Sequence, residues 1–201
     1  MVVLYEDRIG PAAKQFGPHD LLCSCIADGV GISVWELIRD IAYVPLKGNG
    51  NLRNACVDVE RFRTKGETVV AVFDDDEIRR LLALPADSCK PAVKAAVGSH
   101  PGLVVVLVER NIETLVDLAA DATGCARPDK KDRTARDSIL NRVAFGDERI
   151  RTSLLGKSES LRYLVRRVTE LVKAPDRLSA VSADMGGPAV DAESEVPAHS
   201  P

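Results

Sequence analysis

Three consecutive aspartates follow directly after an apolar run in this 201-residue chain. Their carboxylates are candidate ligands for a metal ion. Asp74, Asp75 and Asp76 come after Val69–Phe73, and a helical pattern begins at once. Adjacent carboxylates repel one another, and each costs solvation free energy if nothing compensates its charge. On an extended segment Asp74 and Asp76 project to the same side, so they could share a metal ion. Alternatively, one aspartate is simply the N-cap of the following helix, where the helix dipole favours it.

Two further acids lie beside predicted strand ends. Glu6 ends the run Val2–Tyr5, and Glu113 lies just past Leu103–Val108. Ligands of an open parallel sheet collect beyond the carboxyl ends of its strands. Converging carboxylates at such an edge suit the hard cations Mg²⁺ or Mn²⁺. For Glu113 the alternative is a solvated helix face that it shares with Asp117 and Asp121.

Alternating strands and helices predict an α/β fold, with a mostly parallel four-stranded sheet flanked by helices. The predicted strands are Val2–Tyr5, Leu21–Ile26, Val69–Phe73 and Leu103–Val108. Helical patterns cover residues 33–43, 50–65, 75–84, 111–122, 138–145 and 160–173, and residues 124–136 read as a polar loop. His19, beside a proline, is predicted to lie in a loop.

Composition divides the chain into three parts. Residues 1–125 are predicted to form the α/β domain, and residues 126–173 a helical C-terminal extension packed on it. Residues 174–201 are rich in Ala, Ser, Pro, Gly and acids without apolar periodicity, which predicts disorder.

A Glu after the first strand and D-x-D after the third make the chain resemble toprim domains. These occur in topoisomerases, primases, recombination proteins and the overcoming-lysogenization-defect (OLD) nucleases. The stretches LKGNGNLRNACVDVERF and VVVLVERNIETLVD, and the helical C-terminal portion, look like small toprim-like proteins. Those proteins are encoded beside ATPases in bacterial phage-defence loci. The chain departs from the family where Asp7 and Arg8 follow Glu6, since toprim proteins usually carry Gly directly after that Glu.

The resemblance implies a Mg²⁺-dependent or Mn²⁺-dependent nuclease. Glu6, Asp74 and Asp76 would hold the metal, and Glu113 would complete or orient the catalytic site. The reaction would be metal-assisted phosphodiester hydrolysis. The substrate would be nucleic acid, with DNA favoured over RNA, and an ATPase would be the protein partner. The sequence leaves homo-oligomerisation open.

Basic residues that could contact a nucleic-acid backbone include Lys47, Arg53 and Arg61. Lys47 lies in KGNGN, which lacks the G-K-[ST] ending of a P-loop, so we expect no ATP hydrolysis by this chain. Aromatic residues make up 4% of the chain, which favours backbone contact over base stacking. Solvated helix faces are the alternative explanation for these cations.

Cysteine content favours a cytoplasmic protein, and the net charge bears on binding to nucleic acid. The net charge of −3 argues against indiscriminate binding to nucleic acid but leaves a local basic surface open. The five cysteines form no C-x-x-C pair, which fits reduced thiols. Cys23 and Cys25 are predicted to share one face of a strand as small buried residues, with a metal or redox role as the alternative. We expect neither an export signal nor a membrane span.

Two alternatives to a nuclease remain. A catalytically inactive toprim-like scaffold or regulatory subunit that binds an ATPase is favoured by the altered neighbourhood of Glu6. A response-regulator-like receiver also clusters acids at strand ends. It needs a Lys after its last strand and a lone phospho-acceptor Asp, and the sequence has neither arrangement.

Overall fold

Four parallel strands form the sheet in the part of the chain that the structure describes. The structure is a computed structural model, and it describes residues 1–6, 16–45, 61–62, 64–65, 67–81, 83, 103–108, 112–129 and 131–173. The strands are β1 (Val2–Tyr5), β2 (Ala42–Pro45), β3 (Val69–Asp74) and β4 (Leu103–Val108). They are hydrogen-bonded in the order β2-β1-β3-β4, and each neighbouring pair is parallel. The predicted α/β class with a four-stranded parallel sheet is confirmed.

Helices flank the sheet and make up the described C-terminal portion. Their bounds are α1 (Gly17–Val30), α2 (Val34–Asp40), α3 (Asp75–Leu81), α4 (Ile112–Thr123), α5 (Arg133–Ala144), α6 (Glu148–Lys157) and α7 (Glu159–Lys173). None of these described helices is long and apolar enough to cross a membrane.

The prediction of a strand at Leu21–Ile26 is wrong, because these residues lie inside α1. Every residue from Gly17 to Ile26 is buried, so the helix lacks the polar face that marks most surface helices. A short apolar run of this kind cannot be assigned to strand or helix by periodicity alone. The helix signals lie at its ends, where Pro18 occupies the first turn and Gly31 ends the helix with a left-handed φ of 69°.

The second strand of the sheet lies at β2 instead. The predicted helix at 33–43 ends early, since α2 stops at Asp40 and the next residues pair with β1. The N–H of Ala42 donates to the carbonyl of Met1 at 3.0 Å, which begins this pairing. Three of the four predicted strands are therefore correct, and the one predicted at Leu21–Ile26 lies at Ala42–Pro45 instead.

Two apolar clusters hold the layers together, and α1 contributes to both. One cluster joins the sheet to α1 and α7 through residues such as Val70, Leu22 and Val168. The other joins α1 to the helices α4–α7, with Leu21 and Leu140 among its members. Because α1 lies between these clusters, the C-terminal helices share a core with the helices that flank the sheet.

Helix α5 begins earlier than the sequence indicates, and α6 is not among the predicted helices. Residues 124–136 were expected to be loop, but α5 starts at Arg133. Asp132 caps it, since Oδ1 accepts the N–H of Ala135 at 2.9 Å. The predicted tail, 174–201, lies outside the described residues, as does the helix predicted at 50–65 except for its last few positions.

Candidate active site at the carboxyl end of the sheet

The carboxyl ends of β1 and β3 place Glu6 beside Asp74. These strands are neighbours, and the N–H of Glu6 donates to the carbonyl of Val72 at 3.1 Å. The side chain of Glu6 then turns toward β3, where its Oε2 accepts the N–H of Asp74 at 3.0 Å. Asp74 pairs in turn with Val108 of β4. Two of the predicted site residues therefore meet at one edge of the sheet.

The aspartate block spans a strand end and a helix start. Asp74 is the last residue of β3, and α3 begins at Asp75. The expectation that Asp74 and Asp76 project to one side is therefore wrong in its premise, since the segment after Asp74 is helical rather than extended. Asp76 is exposed in the first turn of α3, where the helix dipole favours an acid.

Asp75 is partly buried and forms an ion pair within α3. Its Oδ2 accepts the Nε–H of Arg79 at 2.9 Å, across one turn of α3. Its Oδ1 is buried and finds no hydrogen-bond partner among the described residues. An orphaned carboxylate oxygen carries a desolvation cost that a cation or a water could relieve.

Glu113 forms an ion pair with a buried arginine. It lies in the first turn of α4, and its Oε1 is 3.1 Å from Nη1 of Arg136 on α5. The alternative was a solvated helix face formed by Glu113, Asp117 and Asp121. Only Asp117 and Asp121 lie on such a face, where they pair with the exposed Arg127. Glu113 is thus tied to the packing between α4 and α5.

Sequence reasoning missed Arg136 because it was assigned to a loop. A signal was present, since Arg136 falls on the same helical stripe as the buried residues Ile139, Leu140 and Val143. A charged residue on an apolar stripe predicts a buried ion pair.

The donor set at this edge has the oxygen chemistry of a hard divalent cation. Glu6 and Asp74 are brought together, and the aspartate block supplies further carboxylates. Within the described ranges, however, no group of three or more His, Cys, Asp or Glu side chains could hold a metal ion. The predicted ligand set of Glu6, Asp74 and Asp76 therefore stays a prediction.

Of the predicted nucleic-acid contacts, Lys47 and Arg53 lie outside the described residues. Arg61 is exposed, and its guanidinium carbon lies 4.9 Å from the ring centroid of Phe62. This distance fits a cation–π contact.

A buried polar cluster adjoins the end of β1. His19, predicted to lie in a loop, is buried inside α1. Its Nδ1 is 3.3 Å from the hydroxyl of Tyr5, and its Nε2 is 2.9 Å from the carbonyl of Ile41. These contacts fit a neutral ring in which Nε2–H donates to Ile41 and Tyr5 donates to Nδ1. Burial lowers the pKa of His19 to about 4.

The neighbouring Asp20 is buried as well, and its Oδ2 has no hydrogen-bond partner in the described structure. Burial, followed by the charge of Asp137, raises the pKa of Asp20 to about 6. The cluster therefore holds an acid and a base that both resist becoming charged.

Cys23 and Cys25 are buried, as the sequence predicts, but they do not share a face. They are two residues apart on a helix, and they belong to different apolar clusters. Burial raises the pKa of each thiol to about 12, which keeps both protonated and unreactive.

Comparison with protein-family models, with curated proteins and with solved structures finds no match for this chain. The likeness to toprim domains accordingly rests on the sequence motifs alone.

Proposed function

We propose that this protein is a toprim-like, metal-dependent nuclease that hydrolyses phosphodiester bonds in DNA or RNA. The observation that carries the proposal is the contact between the Glu6 carboxylate and the Asp74 backbone at the carboxyl edge of the sheet. Acids from two separate strands meet there, at the edge where open parallel sheets bind their ligands.

Glu6, Asp74 and Asp76 are the residues that would hold Mg²⁺ or Mn²⁺. The bound cation would supply an activated water and neutralise charge on the phosphate. Glu6 would be oriented by the hydrogen bond from Asp74, and exposed Arg61 would contact the nucleic-acid backbone. The toprim-like motifs are the basis for an ATPase partner and a phage-defence setting, and the cysteine content is the basis for a cytoplasmic location.

Cleavage assays with matched variants test this proposal. Supercoiled plasmid, single-stranded DNA and RNA are incubated with the full chain and Mg²⁺ or Mn²⁺. Glu6→Gln, Asp74→Asn and Asp76→Asn should each lower the cleavage rate by more than about 100-fold, the upper range for loss of an outer-shell partner. Asp117→Asn is the control, because Asp117 lies on α4 and its carboxylate pairs with the exposed Arg127.

Two results would contradict the nuclease proposal. One is cleavage that survives in EDTA, and the other is a parental rate in Asp74→Asn.

Arg61→Ala should instead weaken binding and lower the salt dependence by about one phosphate contact.

The second candidate function is a catalytically inactive scaffold, and two ion pairs favour it. Asp75 is already paired with Arg79, and Glu113 with buried Arg136. Arginine therefore compensates part of the charge for which a metal would otherwise be needed. Glu113→Gln distinguishes the candidates. In either case it should cost about 1 to 3 kcal/mol of unfolding free energy, because the ion pair with Arg136 is lost. Only in a nuclease should it also lower a cleavage rate, and by more than it lowers the substrate affinity.

A further inference from the structure

An exposed aromatic patch lies where α2 meets the end of α5. Its members are Ile32, Trp35 and Phe145, with exposed fractions of 39%, 60% and 40%. Within the described ranges these are the large apolar side chains that remain exposed. They lie together, because Trp35 stacks on Phe145 and Ile32 lines the same groove as Phe145. Scattered exposed apolar residues are ordinary, whereas a concentrated group marks an interaction surface.

The two aromatic rings of the patch are held in place by each other. The ring centroids of Trp35 and Phe145 are 5.1 Å apart, and the planes differ by 12°. Stacking at this distance restricts the side chains before any partner arrives. Binding to an ordered ring loses less conformational entropy, and tryptophan is enriched among residues that dominate interface affinity.

A groove of about 330 Å³ runs beside the patch. Ile32 and Phe145 line it, together with Ala27, Val34 and Ala144. This volume is at the lower end for small-molecule pockets. An open groove of that size, flanked by stacked rings, suits one or two apolar side chains of a protein segment.

Hydrogen bonds of Arg151 hold the floor of the groove together. Arg151 donates to both carboxylate oxygens of Asp28, at 2.6 and 2.8 Å, and to the carbonyls of Ala144 and Gly146. Because the N–H groups of this guanidinium already donate to α1 and to the end of α5, they are not free to bind an anion. Ser24 also lines the groove, and its buried hydroxyl has no hydrogen-bond partner among the described residues.

The charged groups adjoining the patch are mainly acidic. Glu36 follows Trp35, and Asp147 and Glu148 follow Phe145 closely in sequence. All three are exposed, and none forms an ion pair within the part of the chain that the structure describes. Of the basic neighbours, Arg39 pairs with Asp40 at 2.9 Å, and Arg142 donates to Cys125 Sγ at 3.3 Å. Arg149 is the remaining exposed cation close in sequence, so the acidic charge predominates.

We infer that the aromatic patch docks a segment of another protein that presents apolar side chains flanked by Lys or Arg. The stacked rings would receive the apolar side chains, and the carboxylates of Glu36 and Glu148 would face the cations. Arg and Lys also bind favourably over a Trp face. This inference is independent of the proposed function, because it uses no residue of the sheet edge.

Charge argues against two other occupants. The last 28 residues carry the acids Asp176, Asp184, Asp191, Glu193 and Glu195 against a single basic residue, Arg177. This segment would bring further negative charge to the acidic patch. A second copy in a two-fold contact would set two acidic rims against each other.

Selection from a displayed library of random 16-residue peptides tests the inference. The full chain is the target, and Trp35→Ala/Phe145→Ala is the counter-target. Enriched peptides should carry net positive charge and bind the parent at least tenfold more tightly than the double variant. Trp35 is the only tryptophan, so its emission reports binding directly.

Charge variants that keep Trp35 complete the test. Glu36→Lys/Glu148→Lys should weaken the selected peptides at least threefold, while Glu159→Lys, at the start of α7, should change affinity less than twofold. The inference is overturned if no peptide is enriched, if the double variant binds equally, or if neutral or acidic peptides dominate. It is also overturned if the patch mediates self-association in sedimentation, or if a synthetic peptide of residues 174–201 competes.

Discussion

At the scale of single residues, the structure balances buried charge with nearby partners. His19 and Asp20 are the exception, since burial works against the charged form of each. The folded pKa of His19, about 4, is below its ordinary 6.5, so its contribution to stability declines as pH falls through that interval. The folded pKa of Asp20, about 6, is above its ordinary 3.8, so its contribution increases as pH falls. Between about pH 4 and 6 the two effects oppose each other.

Removing the titration of Asp20 should reveal the pH dependence that His19 gives to the stability. Asp20→Asn eliminates the contribution that increases in acid. Relative to the parent, it should therefore lose about 1.5 kcal/mol more unfolding free energy between pH 6 and pH 4.5, since Asp20 is only half protonated at pH 6. Urea unfolding at the two pH values measures this difference.

The exposed Asp40→Asn on α2 is the control and should follow the parent. Equal pH dependence in Asp20→Asn and the parent would show that Asp20 is ionised normally in the folded state.

The site residues differ in how far the sequence could predict them. The placement of Glu6 and Asp74 at one edge follows from parallel strands, and their contact follows from the pairing of β1 with β3. The pairing of Asp75 with Arg79 required knowing that α3 starts one residue after the strand. The pairing of Glu113 with Arg136 required knowing how α4 packs on α5, which no local pattern contains.

At the scale of elements, α1 is the helix on which the layers depend. Its first residue, Gly17, lies so close to α5 that an added Cβ would be 2.9 Å from both the Asp137 carbonyl oxygen and the Leu140 Cβ. Its N–H donates to Asp137 Oδ1 at 3.2 Å, which fixes the approach. The spacing between α1 and α5 is therefore set by the absence of a side chain.

Alanine at two glycines of α1 should have opposite effects. Gly17→Ala should destabilise the protein by about 1 to 3 kcal/mol, as overpacking does. Gly29→Ala should stabilise it by about 0.5 to 1 kcal/mol, because nothing lies within 4 Å and alanine is the better helix former. Denaturant unfolding of both variants measures the two shifts. A neutral Gly17→Ala would show that α1 and α5 can separate freely.

The same helix shows why the elements were only partly predictable. Exposed faces give helices their period, and α1 has none along its buried half. The strands β1, β3 and β4 were predictable because apolar runs of four to six residues without a helical period match their bounds. β2 is half-exposed and short, and the helical pattern before it extends into its sequence.

At the scale of the whole molecule, the C-terminal helices are part of the core. Leu154 of α6 and Leu161 of α7 belong to the same cluster as Leu21 of α1. Tyr5, directly before Glu6, belongs to the other cluster together with Leu164 of α7, so substitutions in α7 should change the packing beside the sheet edge. The aromatic patch is built by α2 and the end of α5, so it depends on the same packing.

The central claim is that the carboxylates at this edge form a divalent-cation site, and calorimetric titration with Mn²⁺ tests it most directly. The parent chain should bind Mn²⁺ with a measurable heat. Glu6→Gln, Asp74→Asn and Asp76→Asn should each weaken binding by at least tenfold, while Asp117→Asn should bind like the parent. Circular dichroism should show that all four variants remain folded. Parental Mn²⁺ affinity in both Asp74→Asn and Asp76→Asn would contradict the claim.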